Sequence, residues 1–253
     1  MRLLGKEGEE FMNNTRRIKL LAGAMMLIGL GSAGFASVAN HSWHISFAFA
    51  VLALAAATSR MKVKLPGING NMSVNLPFLL TAVVNLSALE AVVITLASTA
   101  VQCWPRKNAK FNPQQMAFNL GMMAFASSAA VLVFRGVTHS SALWHSTTLG
   151  LVLATLTLFL GQTAPVAGIV AVSEGKPAWQ VWSSVAQLSF PYYVVGAGVV
   201  SLVQAVSLHL GWGLALAVFP VMYIIHRSYR LYFNALAESL QPETLVRAVG
   251  AGA

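Results

Sequence analysis

No aspartate occurs in the 253 residues, and all seven acidic side chains are glutamates. Six of them, Glu7, Glu9, Glu10, Glu174, Glu238 and Glu243, fall in polar segments, which leaves Glu90 as the one acid inside an apolar region. Chemistry built on two converging carboxylates, including glycosidase pairs and cages for Mg²⁺ or Ca²⁺, therefore has no basis in the apolar body. A single cysteine, Cys103, excludes an intrachain disulfide and a multi-cysteine metal centre. Charge of either sign is scarce: 9% of residues carry it, against about a quarter in soluble domains.

What remains is apolar: 57% of residues are hydrophobic and the mean hydropathy is +0.68. Long stretches hold no charge at all. Ionised side chains are costly in hydrocarbon, so charge-free runs of about 20 residues point to a bilayer as solvent. Soluble enzyme, secreted disulfide scaffold, disordered linker and nucleic-acid binder are excluded. The net charge of +9 is read as membrane topology.

The pattern predicts an all-α, polytopic membrane helical bundle. Its apolar runs are 18–39, 43–59, 74–87, 88–104, 113–135, 144–172, 178–207 and 210–235. Segment 74–87 would reach only ~21 Å at the α-helical rise, short of a ~30 Å hydrocarbon core. The region 74–104 is either one long helix or two elements that turn near Asn85-Leu86-Ser87. Two elements put 15 of the 16 basic residues on one side, with Arg135 alone opposite; one long helix splits them 9 to 7. The positive-inside rule favours two elements and places both termini in the cytoplasm. A re-entrant hairpin at 74–104 gives the same tally, so eight crossings, or six plus a hairpin, both satisfy it. Trp43, Trp144 and Trp212 then mark the outer interface, and Trp104, Trp179 and Trp182 the inner one.

The corresponding domain reading is a cytoplasmic tail over 1–17, one transmembrane domain over 18–235 and a cytoplasmic amphipathic tail over 236–253. Ser37-Val38-Ala39 resembles a signal-peptide cleavage site, but the preceding run is long for a signal and its loss would break the even count of crossings. Gly29, Ala33 and Ser37 form a small-residue stripe for close helix packing, and Ala53 and Ala57 are expected to do the same on the second helix.

Polar groups and helix breakers within apolar runs are the candidate site. Gln162 lies ~15 Å from its cytoplasmic end and is followed by Thr163, Pro165 and Gly168. Gln187 lies at nearly the same depth on the next segment, followed by Pro191, Tyr192 and Tyr193. Each proline deletes a backbone donor, which a bilayer tolerates only against protein or a cavity. A midplane cavity between these helices and a plain Gln–Gln hydrogen bond are the two readings. Ser87 and Glu90 have capping-box spacing, so Glu90 is either a helix cap or a ligand or proton site. Gln102, Gln115 and Asn119 line a cleft or bond neighbouring helices, with Asn112-Pro113 as cap and first residue of the helix that carries Gln115 and Asn119.

His41, His44, His139, His145 and His209 gather at the outer edge. A metal site or pH sensor there would lack any acidic or cysteine partner, and ordinary interfacial histidines are the plainer reading. No cofactor is expected. Arg60-Met61-Lys62-Val63-Lys64-Leu65-Pro66-Gly67 alternates basic and apolar residues and leads through Asn69-Gly70-Asn71-Met72-Ser73 as a strand-like loop. Tyr229, Tyr232, Phe233, Leu236 and Leu240 recur at helical steps, predicting an amphipathic extension out of the bilayer. No Walker, G-x-S-x-G or H-E-x-x-H motif is present.

This order of elements resembles the MASE-type multi-span sensor regions that precede HD-GYP or GGDEF domains in bacterial cyclic-di-GMP signalling. The elements are two opening helices, Lys62-Val63-Lys64-Leu65-Pro66-Gly67, a turn at Ser73, a short helix pair with Glu90, Phe118-Asn119 opening a small-residue helix, and Tyr229-Arg230-Leu231-Tyr232. The likeness spans nearly the whole chain, although no output domain follows Leu240. It implies a non-catalytic input module in a bacterial inner membrane, and it carries over no catalytic residues. The helix pair beside a Gly/Asn-rich loop also resembles, more faintly, the substrate-binding subunits of energy-coupling-factor vitamin importers.

The leading expectation is a sensor that binds lipid or a small apolar or amphipathic ligand and signals to a cytoplasmic partner through the Tyr229–Leu240 helix. A transporter or importer subunit using the same polar groups is the alternative, and a membrane enzyme is a third reading that the lack of paired acids disfavours. Nucleic acid is not an expected partner, and oligomerisation is left open.

Overall fold

The computed structural model describes residues 2–38, 44–64, 71–105, 111–139, 146–210, 220–221 and 223–236, with side chains left out at 2–15, 37, 64, 71–72 and 206–210. It contains α1 (Arg2–Val38), α2 (Ile45–Ser59), β1 (Lys62–Lys64), β2 (Asn71–Ser73), α3 (Leu76–Asn85), α4 (Ala88–Cys103), α5 (Pro113–His139), α6 (Thr147–Glu174) and α7 (Ala178–Leu210). Residues 223–236 form a further helical stretch. The described residues are all-α apart from one antiparallel strand pair, in which Val63 faces Met72.

Among the described residues four stretches, Arg16–Ala36, Pro113–His139, Thr147–Glu174 and Ala178–Ala205, are long and apolar enough to cross a membrane, and α2, α3 and α4 are shorter apolar helices. This is the helix inventory of a multi-pass membrane protein. α1 reaches back to Arg2, well before the apolar run that opens at residue 18, so helical backbone extends through residues expected to form a tail.

Local chemistry sets the boundaries. Asn112 Oδ1 accepts the Gln115 N–H at 3.1 Å and opens α5. Ser146 Oγ does the same for Leu149 at 3.2 Å and opens α6. α6 closes on Gly175, whose φ of 64° is left-handed, a conformation in which glycine alone avoids a Cβ penalty. Lys176 and Glu174 form a 2.7 Å ion pair at this turn.

Hydrogen bonds show which helix ends lie together. At one end the His44 N–H, preceding α2, donates to Glu90 in the first turn of α4. Arg135, late in α5, donates to the Leu86 carbonyl that ends α3, and Gln204 on α7 donates to Asn85. At the opposite end Ser73 meets Gln102, and Asn119 meets Cys103. Residues 76–103 are therefore two antiparallel helices around a turn at Leu86 and Ser87.

α3 is the centre of the bundle. Ten residues make it ~15 Å long, half a bilayer core, yet Leu76, Pro77, Phe78, Leu79, Leu80, Ala82 and Val83 are all buried, packed among α2, α4, α5, α6 and α7. A short helix survives here because protein, not lipid, surrounds it.

α1 crosses α5 at Gly29 and Gly121. A Cβ on Gly121 would stand 2.5 Å from the Met25 carbonyl oxygen, and a Cβ on Gly29 would meet the backbone of Gly121. Hydrogen in place of a side chain at both sites lets the two backbones touch. Gly29 and half-buried Ala33 thus lie on the packed side of α1, while the side chain of Ser37 is outside the described residues. Ala53 and Ala57 correct the expectation for α2: both are exposed, and the helix packs through Val51, Ala55, Thr58 and Ser59.

Candidate functional site

The side chains singled out in the sequence divide among three places. Glu90 is at the end of the bundle that holds the α3–α4 turn, buried at 4% exposure. Its Oε2 accepts the Ser87 N–H at 2.9 Å and the Ser87 hydroxyl at 2.7 Å, while the Glu90 N–H donates to Ser87 Oγ at 3.3 Å. This is the capping box expected from the spacing. Its Oε1 accepts the His44 N–H at 2.8 Å. One carboxylate therefore serves the N-termini of α4 and α2, where orphan donors and helix dipoles both favour negative charge. With each oxygen engaged, Glu90 acts as a clamp.

His44 and His139 are exposed near this end. His41 and His145, and the side chain of His209, lie outside the described residues. Among the described residues no group of three or more His, Cys, Asp or Glu is placed to hold a metal ion.

The second place is the strand-pair end, around the start of α3. Ser73 Oγ lies 2.6 Å from Asn75 Oδ1 and 3.2 Å from Gln102 Oε1, and Asn75 Nδ2 lies 3.5 Å from Ser98 Oγ. The Leu76 N–H donates to the Tyr192 hydroxyl at 3.1 Å. These groups satisfy a helix N-terminus inside the apolar body. Thr95, Ser98, Thr99 and Gln102 recur at i, i+3, i+4 and i+7 on α4, a polar stripe that could have revealed the network in advance. Asn119 joins its periphery by donating to Cys103 Sγ at 3.3 Å, which is bonding between neighbouring helices. Gln115 is exposed.

The third place is α6 against α7. Both helices continue through Pro165 and Pro191, so the prolines delete donors without unwinding the backbone. Thr163 donates to the Phe159 carbonyl at 2.7 Å and accepts the Trp182 indole N–H at 3.3 Å. Phe159 packs edge-on against Phe190 and Tyr193. Gln162 and Gln187 are not hydrogen-bonded to each other. Gln162 is half-buried, with its Nε2 enclosed and without a partner among the described residues. Gln187 is exposed, because α7 buries Val181, Val185, Ser189, Tyr192, Gly196 and Val200 and position 187 falls on the opposite side of that stripe.

Tyr192 belongs to two of these places. Its ring lies edge-on to Tyr229 at 6.0 Å between centroids, and Tyr229 in turn lies 5.7 Å from Phe233. Phe233 is 3% exposed, whereas Leu231 and Tyr232 face outward. The stretch 223–236 is thus docked on the bundle through Tyr229 and Phe233 where an extension leaving it was expected; residues 237–240 lie outside the described residues. Comparison with protein-family models, with curated proteins and with solved structures gives no match.

Proposed function

We propose that the protein is a non-catalytic, membrane-embedded sensor that binds lipid or a small apolar or amphipathic molecule and reports it through the helix 223–236. One observation carries the reading. Tyr192 caps the central helix with its hydroxyl and holds Tyr229 with its ring. A displacement of α3 or α7 therefore has a packed route to the terminal helix, and a ligand with unequal affinity for two such arrangements would shift their populations. The low charge of the body and the full engagement of its one acid support a binding role over catalysis. The resemblance to MASE-type input modules belongs to the same reading.

The accompanying topology has eight membrane segments, or six and a re-entrant pair, in a bacterial inner membrane, with the strand-pair end and both termini cytoplasmic. Its support is the one-sided distribution of basic residues. A transporter or importer subunit is the alternative; the discontinuous midplane helices of secondary transporters have no counterpart in α6 and α7, which stay helical through their prolines.

Spin labels on exposed Leu160 and Leu231, in a Cys103→Ser background, test the proposal in lipid nanodiscs. The expected result is two interlabel distances whose ratio changes on adding a small-molecule extract of the native membrane. A single distance indifferent to every extract fraction would overturn it.

A further inference from the structure

Four buried side-chain atoms lack a hydrogen-bond partner among the described residues: Gln114 Nε2, Ser128 Oγ, Gln162 Nε2 and His226 Nδ1. They are not equivalent. Ser128 is a hydroxyl within a helix and can turn to its own backbone carbonyl. Gln114 belongs to the first turn of α5, and His226 to the outermost helical stretch. Of the three unpartnered nitrogens, Gln162 Nε2 alone belongs to a mid-helix residue, ~20 Å from Gly175 and ~22 Å from the start of α6 by helical rise. Beside it in sequence, Thr163 donates to a backbone carbonyl and accepts from Trp182 of α7, and Ser189 of α7 also bonds a backbone carbonyl. Pro165 also removes the donor that the Gly161 carbonyl would receive one turn later.

The surroundings restrict what can meet this amide. Glu90 and Arg135 are committed to backbone groups at the far end. Glu174 and Lys176 pair at the Gly175 turn. No charged side chain lies on α6 between these ends, so a charged ligand would find no counter-ion along that helix. An enclosed donor amide on a charge-free stretch of helix suits an acceptor on a neutral body.

We infer that Gln162 Nε2 is the recognition group for a neutral, lipid-soluble ligand carrying a carbonyl-type acceptor. This deepens the sensing proposal and rests on it for its biological meaning, but not for the binding itself. Thr163 orients the site from the α7 side by fixing Trp182, and Gln187, on the other face of α7, takes no part.

The test uses a long-chain methyl ketone, isotopically labelled at the carbonyl carbon, and the alkane of equal length, both offered to the full chain in nanodiscs. Native mass spectrometry reads occupancy, and isotope-edited infrared spectroscopy reads the carbonyl stretch. The wild type should bind the ketone saturably, in preference to the alkane, with a lowered carbonyl frequency. Gln162→Leu should fold with an unchanged or raised melting temperature, bind about tenfold more weakly, as for one lost hydrogen bond, and lose the frequency shift. Gln187→Leu should match the wild type. Equal uptake of alkane and ketone, or a frequency shift that persists in Gln162→Leu, overturns the inference. The label pair at positions 160 and 231 separates the two proposals. Ketone bound at Gln162 with no response to any extract refutes sensing alone; a response to native extract without ketone recognition refutes the ligand class alone.

Discussion

Glu90 shows how much one buried carboxylate can organise. It holds two helix N-termini through Ser87, three residues before it, and His44, 46 residues before it in sequence. Glu90→Ala leaves both backbone donors without an acceptor and should lower unfolding stability by about 2 kcal/mol or more, whereas Glu90→Gln, which keeps one acceptor oxygen, should lose about half of that. Thermal unfolding in detergent measures both. The clamp reading fails if alanine is tolerated. Gly29 gives the packing counterpart. Gly29→Val drives a side chain into the backbone of Gly121 and should cost roughly 1–3 kcal/mol. Gly31→Ala, at a site with no atom within 4 Å of the added carbon, should be neutral. The capping box was legible from Ser-x-x-Glu alone because it is local. The His44 contact was not, since no short-range pattern states which two helix ends meet.

Among elements, α3 and α7 are the coupled pair. Tyr192→Phe removes the hydroxyl that accepts from Leu76 and retains the ring against Tyr229. It should cost about 1 kcal/mol and alter the ratio of the two distances between positions 160 and 231; stability lost with no change in that ratio would make Tyr192 a structural cap only. The elements were legible, since seven of the eight apolar runs correspond to α1 through α7 and the eighth overlaps the stretch 223–236. The start of α1 at Arg2 was not, because helical backbone there continues through polar residues. Facing was less so. Ala53, Ala57 and Gln187 were placed inward by composition, yet their helices bury other stripes, and in a bilayer small or polar residues can face outward without a penalty that the sequence makes visible. The depth of Gln187 follows from helical rise alone, while the angular position that excludes it depends on which neighbours α7 packs against.

For the whole molecule, the alternation of helix directions from α2 to α5 follows from contacts at both ends of the bundle, and it agrees with the two-element choice that the basic residues favoured. Which end faces the cytoplasm rests on charge alone. Cysteine introduced at position 108, in the Cys103→Ser background, should resist an impermeant thiol reagent in intact cells and react after permeabilisation. Labelling from outside would invert the assignment of every site to a membrane face. The Gln162 amide was legible as an anomaly, because a carboxamide in a charge-free run is conspicuous. That its donor would have no partner was not, since satisfaction depends on three-dimensional neighbours.

The amide that opens α3 waits for a hydroxyl 116 residues further along the chain. During synthesis the ribosome must complete α4, α5, α6 and nearly half of α7 before that acceptor exists. The helix at the heart of the bundle is made early and covered late, so its final packing depends on what is translated afterwards. A nascent chain arrested before Tyr192 should therefore leave α3 accessible to water-soluble probes and to quality-control proteases, and release of the arrest should close that window.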